Sequence, residues 1–251
     1  MNEEEYFIKR IKDLADSAYR KNVYTNTGFL NMAQLSLFYR EASIGCPVKW
    51  RVYGGSSYCE RAIVMFGSVE EFGYEQEFPI SCIHVRPSLK KFADKLTHRD
   101  FLGALINLGI KREVLGDIVI NDNEAFIFCM EDMAQFIKDN LDRVKHTVVK
   151  CEITKDVPDV WTDNIKEINI NGASKRLDVV VGEVYRLSRS QSQNLIREKK
   201  VFVNARQCEN NSGLLKDGDT VSVRGYGKFI LVGENYISKK GRLNMTVKIF
   251  Q

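Results

Sequence analysis

Ser188-Arg189-Ser190-Gln191-Ser192-Gln193-Asn194-Leu195-Ile196, followed closely by Val201-Phe202-Val203-Asn204, decides the fold of the last third of this chain. Ser188 is a good helix N-cap, and Gln191 three residues later completes a capping box. Ser192, Leu195 and Ile196 then face one way. Arg189, Gln193 and Arg197, four residues apart, share the other face. The helix runs into a short strand, Val201 to Val203, that ends at Asn204. Upstream, Lys175 to Arg186 predicts a second helix, with Leu177, Val180, Val181, Val184 and Tyr185 as its buried stripe. Downstream, Leu215-Lys216-Asp217-Gly218-Asp219 is a turn. Val221 to Arg224 and Lys228 to Val232 then form a hairpin around Gly225-Tyr226-Gly227.

This segment also carries the charge. Ala173 to Gln251 holds 15 Lys and Arg against 7 Asp and Glu, a net of +8, whereas the whole chain is +4. Residues 1–172 therefore carry −4. Such asymmetry points to a nucleic-acid or anionic-membrane module joined to a more neutral body, or to a solvated basic surface with no ligand. Arg binds phosphate through two donors in a fixed fork, and Gln adds neutral hydrogen bonds, so the mixed face of the Ser188 helix suits phosphate and sugar edges.

Working outward, 251 residues suffice for two or three domains. Glu3 to Lys21 predicts a helix with Phe7, Ile11, Leu14, Ala15 and Ala18 on one face, and a second helix is expected after Thr27. Val48 to Tyr53 and Arg61 to Phe66 read as a hairpin around Gly54-Gly55-Ser56-Ser57. From Ile80 onward the order is strand (to Val85), helix (Arg99 to Leu108), strand (Asp117 to Ile120), turn (Asn121-Asp122-Asn123), strand (Glu124 to Cys129), helix (Met133 to Leu141), strand (Thr147 to Ile153). This is the β-α-β-β-α-β order of a ferredoxin-like domain, used by RNA-recognition sheets and by many enzymes. The basic and aromatic signature of an RNA-recognition motif is missing from Glu124-Ala125-Phe126-Ile127-Phe128-Cys129, so Phe126 and Phe128 are expected to be buried. Pro158 to Asn164 reads as a linker, and Ile165 to Ile170 as a strand entering the basic module. The expected division is residues 1–75 (helices and a hairpin), 76–157 (ferredoxin-like) and 158–251 (basic module with a basic tail, Lys239-Lys240-Gly241-Arg242).

The six cysteines are scattered without a Cys-x-x-Cys pair, as expected of reduced thiols in a cytoplasmic protein. No apolar run approaches a membrane span, and Met1-Asn2-Glu3-Glu4-Glu5 is acidic where a secretory signal is basic. No catalytic residue, metal site or cofactor is expected. His98-Arg99-Asp100 looks like a kinase catalytic loop, but Leu105 stands where that loop needs Asn, so Thr97 and Asp100 are read as a capping box. His84, His98 and His146 lack metal spacing, and Gly225-x-Gly227 lacks a dinucleotide loop's third glycine. Asp178 is read as a favourable charge at a helix N-terminus. Arg86, Lys90, Lys91, Lys95, Arg99, Lys111 and Arg112 make a possible second basic patch or a dispersed solvated surface.

Arg176-Leu177-Asp178, Ser188-Arg189-Ser190, Leu195-Ile196, Val201-x-Val203-Asn204 and Gly218-Asp219-x-Val221-x-Val223 together resemble the S4-type RNA-binding domain over about Lys175 to Val232. The resemblance implies a face for folded RNA at the start of the first helix and along the second. Arg176 and Arg189 are its first candidates, then Ser190, Gln193, Arg197, Lys199, Lys200, Asn204 and Arg224. The family often has Gly where Lys199 and Ala205 stand here. A left-handed backbone at Lys199 would cost on the order of 1 kcal/mol.

Leu96-Thr97-His98-Arg99-Asp100-Phe101-Leu102-Gly103-Ala104-Leu105, Leu108-Gly109-Ile110-Lys111-Arg112-Glu113, Gly116-Asp117-Ile118 and Arg224-Gly225-Tyr226-Gly227-Lys228-Phe229 are similar to the YlmH family of bacterial S4-domain proteins. The fold so implied is α+β: an N-terminal helical region, an RNA-recognition-like middle domain and an S4-type domain. The function implied is a non-catalytic, monomeric, cytoplasmic factor that binds rRNA, tRNA or both on the large ribosomal subunit. It would take part in ribosome-associated quality control of stalled peptidyl-tRNA complexes. The alternatives are an RNA-modifying enzyme whose middle domain is catalytic, with Arg176-Leu177-Asp178 similar to a pseudouridine-synthase motif, and a regulator that binds mRNA or a protein partner.

Overall fold

A computed structural model describes residues 2–155, 165–238 and 241–250, the side chain of Phe92 excepted. The expected linker, Pro158 to Asn164, and the lysines Lys239 and Lys240 of the expected tail lie outside the described residues. The chain divides into two compact units, Met1–Val160 and Trp161–Gln251.

The first unit opens with α1 (Glu3–Lys21), capped by Asn2 and Glu5 and burying Ile11, Ala15 and Ala18. The second helix starts later than Thr27. It is α2 (Met32–Leu37), capped by Asn31 and Gln34 and continued by a π-helical turn, Phe38–Ala42. Thr27 instead serves the sheet, where its hydroxyl accepts from the Val64 N–H at 3.0 Å. Strands β1 (Thr25–Asn26), β2 (Trp50–Tyr53) and β3 (Ile63–Phe66) form a small antiparallel sheet in the order β1-β3-β2. The short helix α3 (Val69–Phe72) follows.

The middle elements are β4 (Ile80–Pro87), α4 (His98–Asn107), β5 (Leu115–Asn121), β6 (Glu124–Met130), α5 (Glu131–Asn140), β7 (Arg143–Val144) and β8 (Thr147–Thr154). The sheet order β5-β6-β4-β8, with β7 added at the edge, is the ferredoxin-like topology. Asp122 (φ 45°) and Asn123 (φ 65°) make the tight β5–β6 turn, both in the left-handed region that Asn and Asp tolerate. Thr97 and Asp100 do cap α4: the Asp100 carboxylate accepts from the Thr97 N–H at 2.8 Å and meets Lys145 Nζ at 2.9 Å. The Thr97 hydroxyl, which donates to Asp100 Oδ2 at 2.6 Å, and then Lys145 hold its carboxyl down at about 2. One sheet face buries Ile83, Val85, Ile127 and Cys129 with Phe101, Leu105 and Ile137 of the helices. Burial pushes the Cys82 and Cys129 thiols up to about 12, which leaves them inert core groups.

The opposite face is where an RNA-recognition sheet would stack bases. Here Phe126 is 5 % exposed and Phe128 1 %. Phe126 stacks on His84 with centroids 4.5 Å apart. A Cβ at Gly55, whose φ is +100°, would lie 2.3 Å from Cδ1 of Phe128, so the N-terminal loop lies directly over that ring. Arg61 fixes this packing. Its guanidinium donates to the carbonyls of Leu115 (2.8 Å), Phe29 (2.8 Å) and Arg112 (2.9 Å), and the Asp117 carboxylate accepts from the N–H groups of Glu60 (2.6 Å) and Arg61 (3.2 Å). Burial, then repulsion from Arg112, lowers the Arg61 pKa to about 10, still charged at neutral pH.

The second unit contains β9 (Ile165–Gly172), α6 (Leu177–Tyr185), α7 (Arg189–Arg197), β10 (Val201–Val203), β11 (Arg206–Gln207), β12 (Thr220–Val223), β13 (Gly227–Ile237) and β14 (Leu243–Phe250). They form a sheet in the order β11-β10-β12-β13-β14-β9, every neighbour antiparallel. Both helices pack on one face: Leu177, Val180, Val181, Val184, Leu195 and Ile196 meet Val221, Phe229, Leu231, Met245 and Val247. The hairpin strand was expected over Lys228 to Val232, with Lys239 to Arg242 as a basic tail. Instead β13 runs on to Ile237 and β14 returns between β13 and β9. The alternation Leu243, Met245, Val247, Ile249 explains the strand, since these residues turn to the core while Asn244, Thr246 and Lys248 turn away.

Candidate RNA interface

The helix that opens the sequence reading forms as its residues require. The Ser188 N–H donates to Gln191 Oε1 at 2.8 Å, and the Gln191 N–H donates to Ser188 Oγ at 3.3 Å. Ser192, Leu195 and Ile196 are buried against α6 and the sheet. Gly182 of α6 faces Ser192 of α7, where a Cβ would meet Ser192 Oγ at 3.6 Å, an ordinary contact distance. The residues before α6 are held by a neighbouring loop through Leu177 N–H to Gly213 O (2.8 Å) and Leu215 N–H to Lys175 O (2.9 Å).

This packing brings residues of both helices onto one carboxylate. Asp178, whose side chain is 0 % exposed, takes a two-pronged bond from Arg176: Nε to Oδ1 at 3.0 Å and Nη2 to Oδ2 at 2.9 Å. Gln193 Nε2 donates to Oδ2 at 3.0 Å, and Arg189 Nε stands 3.9 Å away. Burial opposes the Asp178 charge, but Arg176, Gln193 and Arg189 outweigh it and hold its pKa below the ordinary aspartate value. The helix-dipole reading of Asp178 was incomplete: the carboxylate is the hub that orients the basic face. Arg176 is 34 % exposed and Arg189 74 %, so Arg189 offers most of its guanidinium to solvent.

A groove of about 640 Å³ opens beside this hub, lined by Arg176, Arg189, Arg186 and Arg242 among others. From sequence, Arg186 is only the end of a helix, and Arg242 belongs to a basic tail that could extend RNA contact or be a loose end. Arg186 caps α6 in a left-handed conformation (φ 54°), and Arg242 stands one residue ahead of β14.

The remaining candidates sit elsewhere on the same unit. Ser190 Oγ lies 3.1 Å from Ser188 Oγ at the helix start. Arg197 Nη2 donates to Asn194 Oδ1 at 2.6 Å. Lys199 pairs with Glu209 at 3.3 Å and Lys200 with Glu198 at 2.7 Å, both on exposed surface. Lys199 (φ 59°) and Ala205 (φ 60°) do adopt the left-handed backbone for which glycine is suited. Asn204 is committed to the fold: its amide donates to Asp219 Oδ1 at 2.8 Å, and its Oδ1 accepts from the Thr220 N–H at 3.0 Å. Arg224 lies over the Phe202 ring, 5.2 Å from its centroid, and its N–H donates to the Lys200 carbonyl at 2.9 Å.

The second basic patch is split by its partners. Arg112 turns its guanidinium onto the carbonyls of Leu115 (3.1 Å) and Gly116 (3.0 Å). Arg86 pairs with Glu152 at 3.3 Å and Lys90 with Glu124 at 2.7 Å. Lys91, Lys95, Arg99 and Lys111 are exposed. Among the described residues no group of three His, Cys, Asp or Glu is placed to hold a metal ion, and no helix is long and apolar enough to cross a membrane.

Architecture and site define an α+β protein that joins a ferredoxin-like domain to a two-helix, single-sheet module with a basic groove. Residues 74–157, the ferredoxin-like part, match the family model described as "Putative RNA-binding domain in YlmH". The chain is 31 % identical over 180 residues to the "Ribosome-associated protein quality control protein P2" of Bacillus subtilis (strain 168). That match covers 68 % of this chain and 66 % of the relative, so it spans just under two thirds of the relative's length. The solved "Cell division protein ylmH from Streptococcus pneumoniae" is 24 % identical, with a TM-score of 0.48 over 61 % of this chain and 92 % of that one. The chain is thus similar to the YlmH family through residues 74–157 and through that 180-residue match.

Proposed function

We propose that this chain is a non-catalytic RNA-binding protein of the ribosome. Its C-terminal unit acts as an S4-type module that grips folded RNA by phosphate contacts and shape. The observation that carries the proposal is the convergence of Arg176, Gln193 and Arg189 on the buried Asp178 at the mouth of a basic groove. A guanidinium oriented by a buried carboxylate meets a phosphate with less freedom to lose than one on a solvated surface. The relative's name places that protein in ribosome-associated quality control. By extension this chain works in the cytoplasm as a monomer, holding rRNA, tRNA or both on the large subunit while stalled peptidyl-tRNA complexes are handled. Residues 74–157 then supply a second, separate contact to RNA or protein.

The buried state of Asp178 also bears on the rival enzyme reading. A pseudouridine-synthase-like aspartate must reach a base, whereas this one has no exposed surface and is fully engaged. Mass spectrometry of rRNA and tRNA from a deletion strain tests that rival, which a lost modification would restore. For the proposal itself, Arg189→Ala should weaken RNA binding with normal folding and lower the salt slope by about 1 unit. An unchanged affinity and slope across the titration rejects the assignment. Sedimentation of tagged protein free of ribosomes, with no rRNA or tRNA crosslinked, rejects the ribosomal setting.

A further inference from the structure

The groove beside Asp178 has lining residues that the S4-type resemblance does not include. Arg176 and Arg189 meet Asp178. Arg186, at the C-terminal cap of α6, and Arg242, ahead of β14, complete the lining. The acids among the lining residues are Asp178, already engaged by Arg176 and Gln193, and Glu183. Glu183 Oε1 lies 3.2 Å from Arg242 Nη2, and both side chains are partly exposed. The Arg242 backbone is pinned to Ser238: its N–H donates to Ser238 Oγ at 3.0 Å, and its carbonyl accepts from the Ser238 N–H at 2.8 Å.

A solvent-exposed pair such as Glu183–Arg242 is weak. A phosphodiester can therefore compete for the guanidinium, and it offers the fork–fork geometry that arginine favours. Four arginines, Arg176, Arg186, Arg189 and Arg242, line one groove, more guanidiniums than a single compact anion needs. We propose that Arg186 and Arg242 form a second RNA-phosphate subsite continuous with the Arg176–Arg189 face, and that Glu183 is the built-in competitor that RNA displaces from Arg242. This rests on the reading of the C-terminal unit as RNA-binding and extends it to residues outside the resemblance.

The test uses the full chain and a fluorescently labelled tRNA as the probe, titrated between about 50 and about 200 mM salt. Arg186→Ala and Arg242→Ala should each lower the salt slope by about 1 unit. Glu183→Gln should bind about three-fold tighter, and that gain should vanish in the Arg242→Ala background, because the two residues act as a pair. Persistence of the gain without Arg242 would mean that Glu183 acts only as a general negative charge, and the competitor role falls. Wild-type slopes for Arg186→Ala and Arg242→Ala, with a reduced slope for Arg189→Ala, overturn the second subsite and leave the primary face standing. Wild-type slopes for all three overturn both. Arg242→Lys keeps the charge but not the fork, so it should keep the slope and lose part of the affinity. A lost slope in Arg242→Lys, with altered circular dichroism, would assign Arg242 to folding instead.

Discussion

Replacing Asp178 by Asn keeps the side chain's shape and removes its charge. The native carboxylate accepts three bonds of 2.9 to 3.0 Å from Arg176 and Gln193. Asn offers one acceptor oxygen, and its NH₂ group must face at least one of the same donors. A hydrogen bond to a charged group contributes about 1.5 to 3 kcal/mol. Because Arg176 is part-exposed and regains water, the whole substitution should cost about 2 kcal/mol. That is about a 30-fold loss of amide hydrogen-exchange protection across residues 177–197 of the full chain. The pH dependence supplies a second, sharper signature. Asp178 titrates below its unfolded value, so its contribution is fully present above about pH 4 and disappears as pH falls through the folded value. The gap in thermal stability between wild type and Asp178→Asn should therefore be constant from pH 7 to about pH 5 and close in more acid solution. Wild-type protection in the variant, or a gap that persists unchanged to about pH 2, would refute the hub role.

The other expectations concern packing and backbone. Arg61→Met removes the donor to three carbonyls of the first unit and should cost about 3 kcal/mol. A clearly lowered melting temperature and faster proteolysis within residues 22–62 are expected, and an unchanged melting curve would show the network to be dispensable. Ala205→Gly relieves a left-handed Ala at φ 60° and should raise stability by about 0.5 to 1 kcal/mol, read as a higher urea midpoint. A lower midpoint would show that Ala205 is not strained.

The parts of this fold that the sequence made legible are those written in period and turn chemistry. The ferredoxin-like order came from alternating strands and from Asn121-Asp122-Asn123, and the two C-terminal helices came from their stripes and the Ser188 cap. What stayed hidden depends on partners distant in the chain. Arg61 donates only to carbonyls, which every residue type carries, so no motif announces that the N-terminal region seats on the middle sheet. A helix was expected directly after Thr27, whose role, accepting from Val64, lies 37 residues away. Strand β14 was a different kind of miss. Its period-two alternation was present from Leu243 to Ile249, but the preceding Lys239-Lys240-Gly241-Arg242 drew the reading toward a tail.

The same distinction bears on what a net charge of +8 can mean. Counted by type, Arg189, Arg197, Lys199 and Lys200 are equivalent cations on adjacent turns. In the structure Lys199 and Lys200 each have an acid within 3.3 Å and Arg197 has an amide at 2.6 Å, while Arg189 is 3.9 Å from a carboxylate already occupied by two other residues. A guanidinium near a carboxylate but not hydrogen-bonded to it is the one best placed to exchange that weak partner for a phosphate. Arg176 illustrates the converse, since the fork that would grip phosphate is spent on Asp178. On this ground Arg189→Ala should reduce RNA affinity more than Lys199→Ala or Lys200→Ala, although each removes one positive charge. Equal losses for the three would mean that charge density, and not the geometry around Asp178, governs the interaction.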